Sequence, residues 1–278
     1  MSDLLKAAAR KKPGKIIYPV AYKRKYFLSL KKELDELYQQ IKKLDLNSLQ
    51  ETNNASLIMD SKSFIDMVLD FFIGLEKSTH ENKYIKKTIS YIAEKTDLFN
   101  KKNIQDSLFD KKAVSEIPPK KIEKIFNPLK DEAKDRVIKD FTSRNLDLIV
   151  TVKRDLVDKS KNVVINEIQA GNSPAMISEK LESAYNVSLN RAQFIAEDQV
   201  NKYVGDLSRA RHTALGLKRY VWRTMEDSVV RKRCQGLKGK IFLYSEPPPG
   251  GHPTKQPNCR CWEQPVINDL WSDNDDVS

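Results

Sequence analysis

From Asp131 to Ala170 the chain contains neither proline nor glycine, and Gly171 is the first residue to interrupt that run. Those two residue types are the strongest helix breakers, so a charged stretch of this length without them has few ways to stop being a helix. Val137, Phe141, Leu148, Val152, Leu156 and Val163 recur at near-helical spacing along it and form the expected buried side. A helix over about 131–168 is therefore the backbone of any fold this sequence can adopt. Gly171 supplies its C-terminus.

The rest of the chain is arranged around that element. Phe27, Leu30, Leu34, Leu37, Ile41 and Leu44 mark one face of an earlier helix. Further helices are expected over 63–75 and 84–99, and Pro118-Pro119 ends an N-terminal helical region. Ser173 followed by Pro174 reads as an N-cap and first helical position, opening a short helix that closes near Tyr185. Ser188 caps the next, from about Leu189 to Leu215, with Ala192, Ile195, Ala196, Gln199, Tyr203, Leu207 and Ala210 as its inner stripe and Gly216 as its end. Beyond Gly216 the character changes. Arg219 to Arg223, Lys240 to Tyr244 and Cys261 to Ile267 read as short strands separated by a Pro/Gly loop. The expected fold is mainly α, an elongated helical body with a small C-terminal α+β module and few short strands. The expected division is 1–117 (basic arm and helical region), 118–187 (helical linker), 188–267 (C-terminal module) and 268–278 (acidic tail).

Composition narrows the classes. With 40% hydrophobic and 31% charged residues over 278 positions the chain is globular, and nine glycines exclude a collagen-like chain and disfavour a sandwich of many tight turns. The most apolar segment, Phe64 to Leu75, is broken by Asp66 and Asp70, so no membrane span is expected. At the N-terminus the positive charge follows the small apolar run, the reverse of a secretory leader. Three cysteines suit a reducing compartment better than a disulfide framework.

The formal charge of +11 is unevenly placed. Residues 1–32 carry ten Lys/Arg and one acid, residues 209–240 carry ten and two, and residues 261–278 carry five acids and no base. Basic blocks attract polyanions through counterion release without reading sequence. Lys11, Lys12, Lys15, Lys23, Arg24 and Lys25 are the expected non-specific DNA contacts, with a solvated face as the plainer alternative. Tyr18, Tyr22, Tyr26 and Phe27 could stack on bases, though packing against the first helix is the simpler role.

The densest information lies in Arg191 to Ile267. It contains RAQFIAEDQ, then RYVWRTMEDSVVRKRCQGLKGKIF, then PPPGGHPTKQPNCRCWEQPVI. In this order and spacing the segment resembles the Mu F-like family of phage head morphogenesis or minor head proteins. Its signature combines Arg-Ala and Ile-Ala-Arg-Asp-Gln on a helix, a Trp-Arg-Thr strand, an Asp-x-Arg-Val-Arg turn, Gly-His-Pro and Cys-Arg-Cys. The matching positions include Arg191, Asp198, Gln199, Trp222, Arg223, Asp227, Arg231, Gly239 and Arg260. Three positions depart from the pattern. Glu197 replaces an Arg, Val229 replaces the first Arg of the turn, and Cys234 stands in a His position.

That last exchange brings together Cys234, His252, Cys259 and Cys261, all three cysteines and one of three histidines. Zinc accepts His or Cys at the same vertex, so the four could form a Cys3His site. The plainer reading is three reduced cysteines in a small core beside a loop histidine. Trp222 and Trp262 are expected in the module's core, Asp227 with Arg231 as an ion pair, and His80 and His212 facing solvent.

The resemblance implies a phage or prophage minor head protein in the virion head, made in the host cytoplasm, with portal and capsid proteins as partners and packaged DNA nearby. No enzyme is expected, and no small-molecule substrate. The chain has no Gly-rich phosphate loop, no His-Glu-x-x-His and no nucleophile elbow, although Cys234 and His252 could in principle pair as nucleophile and base. The alternative is a cellular zinc- or DNA-binding protein that is not part of a virion.

Overall fold

The structure, a computed structural model, describes residues 13–46, 58–79, 83–110 and 131–267. Lys11, Lys12, His80, the Pro118-Pro119 break and the acidic tail fall outside them. The described residues form α1 (Val20–Ile41), α2 (Ile58–Ser78), α3 (Lys83–Leu108), α4 (Asp131–Gln169), α5 (Pro174–Ala214), β1 (Arg219–Arg223), α6 (Lys232–Leu237), β2 (Ile241–Leu243) and β3 (Trp262–Pro265). The protein is mainly α with one small antiparallel sheet near the C-terminus. None of the described helices is long and apolar enough to cross a membrane.

The chain divides into two compact units that do not follow sequence order. One comprises 24–89 and 142–196, the other 1–23, 90–141 and 197–278. Among the described residues the first contains helices and no strand. Leu30, Leu34, Leu37 and Ile41 of α1 are buried, as are Val68 and Phe72 of α2 and Ile149, Val152, Leu156 and Val164 of α4. Polar groups are threaded through this core in pairs. Tyr26 donates to Asn145 Oδ1 at 2.6 Å, and Lys153 meets Glu33 at 3.1 Å, both side chains almost buried.

Those pairs explain why the inner side of α4 differs from the expected stripe. Phe141, Val152 and Leu156 are buried as expected, but Val137, Leu148 and Val163 are only half-buried. The buried set takes in Asn145, Ile149, Lys153, Ser160 and Val164 instead. Three of those five are polar, and a hydrophobicity pattern passes over them.

The α4–α5 turn behaves as its sequence predicts. Gly171 has φ +71°, its N–H bonds Ile168 O, and Asn172 N–H bonds Glu167 O, a Schellman ending. Ser173 Oγ accepts Met176 N–H at 3.4 Å. The expected break between Tyr185 and Ser188 does not occur, and α5 runs unbroken from Pro174 to Ala214. Ser188 Oγ donates to Ala184 O at 3.1 Å, the bond of a serine inside a helix and not of a cap. With Ile177, Leu181, Ser188, Ala192 and Ile195 all buried, the inner face continues through the expected gap.

In the second unit the sheet has the order β2-β1-β3, both pairings antiparallel, with Tyr220 opposite Phe242 and Pro265, and Trp222 opposite Glu263. Alternation along β1 turns Tyr220 and Trp222 into a core with Ile104, Leu108, Phe109, Leu217 and the three cysteines. Trp222 is buried there, and Trp262 is buried in a separate cluster with Ile16 and Val204, both in the module's core as expected. Residues 13–18 lie on the same unit. Gly14 N–H bonds Ser107 O, Asn103 donates to Ile17 O, Gln264 donates to Pro13 O, and Tyr18 donates to Cys261 O at 2.9 Å.

Candidate functional site

The site is built where α6 meets the loop that leads into β3. Cys234 comes from α6, while Cys259 and Cys261 stand two residues apart on the loop, so their side chains can share one side of the chain. The three sulfurs lie within 4.8 Å of one another, and the residues are 2%, 5% and 4% exposed. All three thiols are free. They line a cavity of about 170 Å³ together with Met225, Val229, Val230, Arg231, Asn258 and Arg260.

The thiols differ electrostatically because they share hydrogen bonds. A bond from Cys261, against the cost of burial, brings the Cys259 thiol down to about 5. Cys261 is pushed up by the same bond, and burial pushes Cys234 up.

The fourth expected ligand is elsewhere. His252 is not part of the triad. Its Nδ1 pairs with the Tyr220 hydroxyl at 3.0 Å, and burial with the nearby Arg209 holds it down at about 4.

Most of the polar residues in the sequence motif hold this loop in place. Asp198 on α5 accepts the Asn258 N–H at 2.6 Å, with Gln199 and Lys202 on its other oxygen. The Asn258 φ of +51° shows how sharply the chain turns just before Cys259. Asp227 binds Arg260, the residue between the two cysteines, at 2.8 and 2.9 Å. Arg231 donates to Pro257 O, and Arg223 Nε to Gln264 at 2.6 Å. The expected Asp227–Arg231 ion pair is thus replaced by two longer-range contacts, each tying a different point of the loop. Gly239, with φ +80°, makes the turn whose N–H returns to Trp222 O. Arg191 lies in the other unit, paired with Asp155.

The second basic block is divided: Lys218, Arg219, Lys232 and Lys240 are exposed, while other members make contacts within the protein. Arg209 bridges Asp206 and Glu263 and donates to Pro253 O. Arg211 binds Asp97 and Asn100 at 2.5 Å. Arg233 donates to Pro249 O and lies 5.7 Å from the Trp222 ring, and Lys238 meets Glu226. Of the expected DNA contacts, Lys15, Arg24 and Lys25 are exposed. Lys23 is half-buried over the Tyr18 ring at 5.2 Å, and burial lowers its pKa. Tyr26 is wholly buried, which removes it from any stacking role.

His212 is the plainest correction. Expected in solvent, it is 0% exposed, its Nδ1 2.8 Å from the Tyr244 hydroxyl, and burial beside Arg209 and Arg211 holds it down at about 3. The Arg209–Glu263 pair was likewise illegible, because Glu263 reads as the first acid of a tail. Burial pushes its carboxyl up to about 7 despite Arg209.

No solved structure matches the chain. An uncharacterized protein of Haemophilus influenzae (strain ATCC 51907 / DSM 11121 / KW20 / Rd) is 33% identical over 128 residues, 46% of this chain and 29% of that protein. The chain therefore spans less than a third of the length of the curated relative it matches. Residues 158–263, which include Cys234, Cys259, Cys261 and the residues that fasten their loop, match the family described as Phage Mu protein F like protein.

Proposed function

We propose that the chain is a structural, non-enzymatic component of a phage or prophage head, a minor head protein that takes part in head morphogenesis beside the portal and the packaged DNA. The observation that carries this reading is the family match over 158–263. The internal use of the motif supports a structural role. Asp198, Asp227, Arg223 and Arg231 each bind groups of the module's own loop or sheet.

DNA contact, on this reading, rests on exposed bases of the N-terminal arm such as Lys15 and Arg24. Binding of that kind is indifferent to sequence and falls steeply with salt.

Quantitative mass spectrometry of purified intact particles tests the role. The protein should be present at a low, reproducible copy number and should co-purify with the portal from procapsids. Particles that assemble and package DNA normally without it would overturn the reading.

A further inference from the structure

We propose that Cys234, Cys259 and Cys261 form a three-thiolate site for a soft divalent ion, zinc above all, whose fourth ligand comes from the adjoining cavity and not from His252. The proposal rests on the geometry of the cysteines and stands independently of the head role.

Three observations carry it. First, the sulfurs already lie within 4.8 Å of one another. Zn–S bonds of about 2.3 Å place the sulfurs of a tetrahedral site roughly 3.8 Å apart, so only a small inward movement is required. Second, all three cysteines border one cavity of about 170 Å³. Val229, Arg231 and Asn258 on its rim are exposed, so the cavity is open to solvent and has room for a water or a partner's donor atom to complete a tetrahedron. Arg231 lines the same cavity, and its charge offsets part of the net negative charge of zinc with three thiolates. Third, the loop is held by groups that act as a second shell. Asp198 fixes Asn258 N–H, Arg231 fixes Pro257 O, and Asp227 fixes Arg260.

His252 stands outside the sulfur cluster, with its Nδ1 held by the Tyr220 hydroxyl. An ion held in this way would join α6 to the β3 loop, adding a cross-link between segments that are distant in sequence.

The test uses the full chain, purified with a thiol reductant and without chelator or polyhistidine tag. Elemental analysis should find close to one zinc per chain. Cobalt(II) should replace it with sulfur-to-cobalt charge-transfer absorption in the near ultraviolet and the d–d bands of a tetrahedral ion. His252→Ala should keep both stoichiometry and spectrum, whereas Cys261→Ser should weaken binding by more than the roughly 10–100-fold typical of second-shell changes. If the serine variant does not fold, the wild-type chain still decides, because chelation should lower its melting temperature and added zinc should restore it. Zinc far below one per chain with no cobalt charge-transfer band, or a disulfide within the triad, would overturn the site. Loss of metal in His252→Ala would overturn the three-thiolate ligand set.

Discussion

The Asp198 carboxylate accepts the backbone N–H of Asn258 at 2.6 Å, across sixty residues of chain. One oxygen is committed to the loop and the other to Gln199 and Lys202, so a helix side chain does for this loop what a strand partner does for a ladder. The residue is 4% exposed.

Asp198→Ala should therefore destabilise the protein by about 1.5–3 kcal/mol, the worth of hydrogen bonds to a charged acceptor. Asp198→Asn, which keeps an acceptor oxygen, should lose less. Chemical denaturation gives the two values, and hydrogen exchange should show protection lost at Asn258 and Cys259. Equal losses in the two variants would contradict this account.

Gly205 on α5 is held to glycine by the loop above it. A Cβ there would lie 2.2 Å from Thr254 Oγ1. Gly→Ala inside a helix ordinarily stabilises by up to about 1 kcal/mol, so a clear loss here would be the opposite of the helix rule. We expect Gly205→Ala to cost about 1–3 kcal/mol through overpacking. Thr254 has φ +70°, a conformation glycine takes without strain, so Thr254→Gly in the same chain should recover most of that loss. Thermal unfolding of the two single variants and the double variant measures the coupling.

Arg209 and Glu263 form a buried pair at 2.5 Å, with the second Glu263 oxygen unpaired. Arg209→Met leaves a buried carboxyl without its cation and should cost about 3–5 kcal/mol. Combining it with Glu263→Gln should cost markedly less, because the orphan charge is gone. Additive losses in the double-mutant cycle would show that the pair is not energetically coupled.

Acid should weaken the fold through His212. Its folded value of about 3 lies below the ordinary 6.5, so between those limits the unfolded chain binds a proton that the folded chain refuses. Stability contributed by the neutral ring is complete above 6.5 and is lost as pH falls toward 3, by at most about 1.4 kcal/mol per pH unit. His212→Gln, whose amide can still meet Tyr244, should be less stable at pH 7 yet lose less stability on acidification. Urea titrations at pH 7, 6, 5 and 4 give both slopes, and parallel slopes would refute the assignment.

Local elements were largely legible. The run from Asp131 to Ala170 is one helix because nothing in it can break one, and Gly171 and Gly216 end helices because both adopt positive φ. Arg219 to Arg223 is a strand with the expected bounds. Ser188 misled because a serine hydroxyl can serve as a cap or bond back to the preceding turn, and the choice depends on what its helix face packs against.

Charge was the least faithful guide. Two basic blocks look alike in sequence, yet the second supplies Arg209, Arg211, Arg231 and Arg233 to partners within its own unit. Charge counts carry no information about partners that are distant along the chain.

The sequence by itself determined the helical period, the glycine turns, the strand content and the ordered motif from Arg191 to Cys261, because these depend on sterics and spacing within a few residues. Only the tertiary structure decided that Cys234 meets Cys259 and Cys261 without His252, that Asp198 holds Asn258, and that His212 is buried. Each of these depends on which elements pack together, and the packing is set by burial summed over the whole unit and not by any local pattern.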